Sequence, residues 1–286
     1  MTLFIQAIIN GVLIGSIYGL SALGLTLVWG IMDIVNLAHG ELIILGAFMN
    51  FFLFTLQGVN PLIGILLSIP AGIVVGGVVH LLFIRRVVGK SGLTTLMMTF
   101  GLSVMGNNIM LQVFTGEPRS IQWLRKTLEF GGLFIPVTRL IAFCFVMVMA
   151  AFLFYFLGRT YPGKAIRAIM QDPEAAAAMG IPTGAILLLA FIIGTVLAMV
   201  AGSLVSIVLP FEPSFALQYA IISFVITVVG GLGRPVGALV GGILVGILES
   251  FTGTYISQAY TPITVSVLLI LFLLIRPSGL FGHTTR

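Results

Sequence analysis

The sequence predicts an all-α fold, a polytopic integral membrane helical bundle of eight to nine membrane segments, with residues 1–286 forming a single transmembrane domain. Three observations carry that prediction. Apolar residues make up 59% of the chain and charged residues only 7%, against roughly 25% charged in an ordinary soluble domain, which excludes a soluble enzyme. The charges fall in clumps separated by uncharged runs, and a helix needs about 20 mainly apolar residues to cross the hydrocarbon core. Glycine occurs 35 times and recurs at the small-residue spacing through which helices approach in lipid, where the hydrophobic effect does not press them together. The formal charge of +5 comes without a basic stripe or an aromatic platform in a polar setting, so the expected surroundings are lipid membrane and not nucleic acid.

The uncharged runs define the elements in order. They are Met1 to Met32, Leu42 to Ile84, Ser91 to Gly116, Leu140 to Gly158, Ala175 to Phe211, Pro213 to Gly233, and Pro235 to Ile275 interrupted only by Glu249. Gln57-Gly58-Val59-Asn60-Pro61 supplies the turn chemistry that splits the second run, and Gln258 to Pro262 divides the last. The resulting crossings are about 4–29, 41–56, 62–84, 93–115, 140–157, 187–209, 216–231, 237–254 and 262–275. Whether the first pair and the pair around Gly230 to Gly237 are separate crossings decides between eight and nine. No basic residue precedes the first apolar stretch and the first charge is Asp33, so this segment reads as a retained span and not as a secretory signal. Close-packing faces are expected at Gly11, Gly15 and Gly19, at Gly72 and Gly76, and at Gly237, Gly241, Gly242 and Gly246. The single cysteine, Cys144, excludes an internal disulfide and a cysteine-based metal site; in its apolar run it is expected to be a buried space-filler.

Lysine and arginine in the short connections orient the spans. A cytoplasmic 85–92 loop brings 158–186, 231–236 and the carboxyl tail to the same side. That side then holds Arg85, Arg86, Lys90, Arg159, Lys164, Arg167, Arg234, Arg276 and Arg286, nine basic residues against four outside, Arg119, Arg125, Lys126 and Arg139. The main external loop covers about 116–139, with Trp123 and Phe130 expected along the interface.

Gly158-Arg-Thr-Tyr-Pro-Gly-Lys164 approaches a phosphate-binding loop, but Ala165 stands where a serine or threonine would hold magnesium, and a membrane helix precedes it. Gly230-Gly-Leu-Gly-Arg-Pro-Val-Gly237 misses the dinucleotide spacing. Neither predicts a cofactor. His39 and Glu41 are acid and base candidates without a G-x-S-x-G nucleophile elbow, and they are too few for a metal site. No catalytic residue is predicted.

Tyr161 to Ile181, YPGKAIRAIMQDPEAAAAMGI, is the most informative stretch. Pro162 opens a helix in which Ala165, Ile166, Ile169 and Met170 share one face, leaving Lys164, Arg167 and Asp172 to water. Pro173 breaks it, and a second short helix from Glu174 to Met179 ends at Gly180. Two short helices would make a rigid docking surface; an interfacial helix lying on lipid is the alternative.

Glu174-Ala175-Ala176 with Gly180 resembles the EAA loop of ABC-transporter membrane subunits. The wider chain resembles the permease family for branched-chain amino acids, of LivH type, through Gly24-Leu-Thr-Leu-Val-Trp-Gly-Ile-Met-Asp-Ile-Val-Asn-Leu-Ala-His-Gly-Glu41, Arg167-Ala-Ile-Met-Gln-Asp172, and Gly230-Gly-Leu-Gly-Arg-Pro-Val-Gly-Ala238 with Gly246-Ile-Leu-Glu249. The isoleucine and leucine-proline that follow the EAA glycine in many other importers are absent after Gly180, which bears on the docking pose of the loop. The resemblance implies a non-catalytic permease subunit of an importer in the bacterial inner membrane. Its implied partners are a second permease subunit, two cytoplasmic ABC ATPase subunits and an external substrate-binding protein. The ATPase-coupling residues would be Lys164, Arg167, Asp172, Glu174, Ala175, Ala176 and Gly180. A permease for urea or short amides, and a self-sufficient secondary transporter or channel coupled through Asp33, His39, Glu41 and Glu249, are the other readings. The last has no need of an exposed docking helix.

Asp33, Asn36, His39, Gly40 and Glu41 interrupt the first apolar region, where ionisable groups are costly unless they face protein, water or a path. The segment is either a turn between the first two spans or the break of a discontinuous helix at a binding site, and its polar groups serve either a pathway or helix capping. Gly231, Gly233 and Glu249 join it as pathway or helix-break candidates, with Glu249 expected to pair with a hydroxyl or backbone group inside the bundle.

Overall fold

The computed structural model describes residues 2–124, 126–276 and 279–280. Among them nine helices are long and apolar enough to cross a membrane, the higher of the two expected counts. They are built on α1 (Thr2–Met32), α2 (His39–Gln57), α3 (Pro61–Leu82), α4 (Gly92–Phe114), α5 (Val137–Arg159), α8 (Thr183–Val208), α9 (Ala216–Gly230), α10 (Pro235–Tyr255) and α11 (Thr261–Ile275), with short 3-10 turns extending three of the spans to Pro61–Arg86, Pro213–Gly230 and Gln258–Ile275. Between α4 and α5 lies a hairpin of β1 (Thr127–Phe130) and β2 (Leu133–Pro136); between α5 and α8 lie the short helices α6 (Tyr161–Gln171) and α7 (Pro173–Ala178).

The split at 57–61 is built from local chemistry. Gly58 takes a left-handed conformation (φ 64°) and caps the last carbonyls of α2, while the Asn60 side chain accepts from the Leu62 N–H at 3.0 Å and Pro61 starts α3. The hairpin, which hydrophobic periodicity did not reveal, turns at Gly131 and Gly132, both at positive φ, a two-residue turn that suits the twist of paired strands. It is fastened to α1 by Gln6, whose amide exchanges two 2.8 Å hydrogen bonds with the Phe134 backbone.

The centre of the bundle is α1, which packs on α10, α8, α9 and α5 and is buried almost continuously from Gly15 to Val28. It runs antiparallel to α10 in a glycine seam. Gly11 faces Ile247, Gly15 faces Gly242 and Ile243, and Gly19 faces Leu239. Gly72 and Gly76 of α3 do the same against Val196 and Thr195 of α8. Helices without a hydrophobic drive between them are held here by backbone contact.

Helix alternation puts Arg85, Arg86, Lys90, Arg159, Lys164, Arg167, Arg234 and Arg276 at the α6 end, and Arg119, Lys126 and Arg139 at the hairpin end. Arg125 and Arg286, which also entered the charge count, lie outside the described residues. One expectation is corrected: Cys144 is exposed on the outer face of α5 and not a buried filler. Its neighbours Ala142 and Val146 take the inward positions.

A side chain added to the seam should cost stability in proportion to the backbone it meets. A Cβ on Gly15 would sit 2.5 Å from the Gly242 carbonyl oxygen, whereas one on Gly77 of α3 meets nothing within 4 Å. Gly15→Leu is therefore expected to lose about 1–3 kcal/mol by overpacking, and Gly77→Ala to gain roughly 0.5–1 kcal/mol of helix propensity. Thermal unfolding in detergent reads both; equal melting of the two variants would contradict the seam.

Candidate functional site

Residues 33–38 leave helical geometry between α1 and α2, starting at Asp33 with φ 53°. Asp33 is exposed at the α6 end, but the chain then turns into the bundle: Ile34, Asn36, Ala38, His39 and Glu41 are all buried. The His39 ring reaches the Ser21 carbonyl at 3.0 Å, and since a carbonyl only accepts, Nε2 carries the proton and donates. Ser21 stands eleven residues before the end of α1, so at 1.5 Å rise per residue His39 lies about 16 Å from that end. That is roughly half the ~30 Å hydrocarbon thickness. The segment is thus a turn between the first two spans, with its mouth at one face and its far end buried deep inside.

Other elements hold the break. Thr99 of α4 donates to the Val35 carbonyl at 2.9 Å, and Ser103 donates to Glu41 Oε1 at 2.7 Å. Glu41 Oε2 and Asn36 Oδ1 are buried without a partner. His39 and Glu41 are directed to different helices, α1 and α4, and do not converge on a common point. Gly40 lies against the first residue of α9, where any Cβ would run into the Ala216 carbonyl. The amino-terminal ends of α2 and α9 therefore meet inside the bundle, two positive dipole ends in contact.

A ladder of hydroxyls joins α1 to α9 beside this point. Ser223 donates to the Tyr219 carbonyl at 2.8 Å, which leaves Ser21 as the donor in the 2.6 Å Ser21–Ser223 pair; Thr26 donates to Thr227 at 3.0 Å. Nearer the hairpin end, Glu249 of α10 is hydrogen-bonded by the Tyr18 hydroxyl, with Tyr219 alongside. Arg139 reaches Asn10 at 3.0 Å. Glu249 is thus a member of a neighbouring polar cluster, apart from the break. At the hairpin end itself, the Arg119 guanidinium lies 5.4 to 6.0 Å from the ring centres of Phe48, Phe51 and Phe52, and its backbone bridges to Phe211. Arg119 had read only as one more outside charge; no local pattern announces a cation among rings 67 to 71 residues away in sequence.

On the other face, α6 buries Gly163, Ala165, Ile166 and Ile169 and leaves Lys164 and Arg167 exposed. Asp172 caps α7 by accepting from the Glu174 and Ala175 N–H groups at 3.0 and 2.9 Å. Glu174 and Ala175 are exposed, Ala176 is buried, and Gly180 ends the unit at φ 81°. Met179 is 83% exposed at the tip, an apolar knob that a helix-pattern reading does not single out. The underside of α6 meets the last turn of α1. A Cβ on Gly30 would strike the Met170 methyl and Gly233 Cα, so α1, α6 and the α9–α10 turn touch three residues before Asp33. Gly231 and Gly233, both at positive φ, make that turn and take no part in the buried end of the break. The groove between these elements is lined by Trp29, Asp33, Arg167, Met170 and Arg234.

Compared with known proteins, residues 7–276 match the family model described as the branched-chain amino acid transport system permease component. The chain is 31% identical to the high-affinity branched-chain amino acid transport system permease protein BraD of Pseudomonas aeruginosa, covering 98% of this chain and 96% of that protein. It is 30% identical to LivH of Escherichia coli K12 over the same shares, and 29% identical to the probable branched-chain amino acid transport permease protein LivH of Methanocaldococcus jannaschii, covering 97% and 92%. No solved structure matches the chain.

The Asp172 cap gives a local expectation. Asp172→Ala removes the acceptor of two N–H groups and should cost about 1 kcal/mol, speeding amide exchange at 174–178 while the bundle helices keep their protection. Asp172→Asn, an equally good cap, should restore slow exchange. Unchanged exchange in the alanine variant would mean that α7 does not depend on its cap.

Proposed function

This chain belongs to the family of branched-chain amino acid transport permease components, and on that footing we propose that it forms half of a gated path for branched-chain amino acids, with the α1–α2 break as its moving part. It is a multi-pass membrane subunit of an ATP-binding-cassette importer and works with other subunits of such a system. In the proposed assembly those subunits are a second permease, two ATPases and an external binding protein, and ATP hydrolysis belongs to the ATPases. The α6 end, with its excess of basic residues, faces the cytoplasm of a bacterial inner membrane, and the hairpin end receives the binding protein.

The observation that carries the reading is the contact of Gly30 with Met170 and Gly233. Force applied to α6–α7 reaches the end of α1 directly, three residues from where helical geometry stops. Beyond that point His39 meets the Ser21 carbonyl and hydroxyl of α1 and Glu41 accepts from Ser103 of α4, while Asn36 Oδ1 and Glu41 Oε2 are unpaired. The 33–38 segment is the non-helical stretch next to that contact, and in the proposed mechanism rigid-body movement of α6 shifts it between two arrangements. Lys164, Arg167, Glu174 and Met179 form the face offered to the ATPase, and Ala176 anchors α7 from beneath.

Co-purification tests this assignment. Glu174→Lys reverses charge at a helix start, and Gly180→Pro demands φ near −65° where the chain has +81°. Both variants are expected to lose stoichiometric ATPase while the permease remains folded and membrane-inserted. Full coupled uptake by both would exclude α6–α7 as the coupling element.

A further inference from the structure

We propose that the groove running along α3 and α8 from the α6 end of the bundle binds one anionic phospholipid, its phosphate beside Arg85 and one acyl chain lying against α8. Such a site serves whichever solute crosses the membrane and does not depend on the 33–38 segment. Two cavities mark the groove. The first, of ≈ 480 Å³, is lined by His80, Leu81 and Arg85 on the α3 side and by Gly184, Ala185 and Leu188 in the first turns of α8. The second, of ≈ 510 Å³, lies deeper between α3, α5 and α8, and its lining, which includes Ile69, Ile73, Phe152, Ile192 and Val196, is apolar throughout. The two are in line. Ile69, Ile73, Gly77 and Leu81 follow one another at four-residue steps on α3, as Gly184, Leu188, Ile192 and Val196 do on α8. At Gly77, between the cavities, an added Cβ would meet nothing within 4 Å, so nothing packs over α3 there.

The chemistry changes along the groove as it does along a phospholipid. Arg85 is exposed and makes no ion pair or side-chain hydrogen bond among the described residues, and no acidic residue lines either cavity. His80 is only 3% exposed, and neither ring nitrogen has a hydrogen-bond partner among the described residues. Nδ1 is sealed off, which leaves Nε2 as the nitrogen with access, on a ring that lines the first cavity. Helix α8 starts after Pro182 without a side-chain cap, and the Gly184 N–H at the cavity wall has no acceptor among the described residues, at a positive dipole end. An anion between Arg85 and this helix end meets a cation, a dipole and free donors together. Basic pockets between membrane helices suit lipid headgroups, and a free anion has no use for the apolar second cavity. From Leu81 to Ile69 α3 rises about 18 Å, close to one leaflet's half of the ~30 Å hydrocarbon core and within reach of one acyl chain. Four residues separate α7 from α8, so a lipid bound here braces the root of the α6–α7 unit against α3.

The site is tested on the complete importer assembly, delipidated in detergent and titrated with phosphatidylglycerol, with bound lipid counted by native mass spectrometry. A saturable, tightly held phosphatidylglycerol is expected, with phosphatidylcholine bound about tenfold more weakly. Arg85→Gln and Gly77→Phe should each weaken retention by about tenfold. Arg86→Gln and Val74→Phe, exposed neighbours outside the lining, should leave it unchanged. Arg85→Lys keeps the charge and should keep most of the binding. Equal retention of phosphatidylcholine, an equal loss from Arg86→Gln, or binding that survives either Arg85→Gln or Gly77→Phe would overturn the proposal. Inorganic phosphate competing as well as the lipid would also overturn it, by reducing the site to one for a bare anion. Cross-linking of Gly77→Cys to the second permease, in a Cys144→Ala background, would do the same by making the groove a subunit interface. The lipid and phosphate comparisons use the unaltered assembly and decide the matter even where a variant fails to assemble.

Discussion

Everything in this bundle depends on α1 being able to lie against its neighbours backbone to backbone. Lipid gives helices no hydrophobic reason to associate, so close approach and interhelical hydrogen bonds must supply the adhesion. Gly11, Gly15 and Gly19 admit α10, Gly24 admits α8 at Gly194, and Gly30 admits α6 and the α9–α10 turn. Small residues on more than one face of a single helix thus fix where four other elements stand. Because α1 is so placed, Ser21 and Thr26 fall opposite Ser223 and Thr227, and the chain that leaves α1 at Met32 can turn back into a space already framed by α4 and α9.

The rigid seam and the sparsely held break have complementary roles. A packed interface deforms as a body, and small displacements at one edge become discrete rearrangements where packing gives way. In the proposed mechanism it gives way at 33–38; the backbone there is not helical, and Asn36 Oδ1 and Glu41 Oε2 lack partners. The hairpin is tied to α1 by Gln6 and runs straight into α5, and α5 is followed after one residue by α6. One continuous stretch of chain therefore links the two faces of the membrane and, through Met170, touches α1 at Gly30, three residues before Asp33.

The spans, the 57–61 turn, the glycine faces and the inward face of α6 were legible because each is a local signal, read from spacing within one or two turns. The partners of those signals were not. Nothing near Ser21 indicates Ser223, 202 residues away, and nothing near Arg119 indicates Phe48 to Phe52. The hairpin escaped because four-residue strands are too short for a period of two to stand out, although its Gly131-Gly132 turn is a recognised marker. Cys144 misled because an apolar run in a membrane helix has no water-facing side; composition cannot tell an inward position from an outward one. The Asp33 to Glu41 segment was legible as an anomaly, but its depth rests on the His39–Ser21 contact, which only the fold supplies.

In the proposed mechanism the buried end of the 33–38 turn changes its exposure as the importer works. The most direct measurement is the rate at which a small thiol reagent modifies His39→Cys, in a Cys144→Ala background, in the resting and in the nucleotide-trapped assembly. A difference between the two states is expected, because His39 lies about halfway through the membrane, where access depends on which side is open. Equal rates in both states, with uptake intact after modification, would contradict it and leave these residues as packing and capping groups alone.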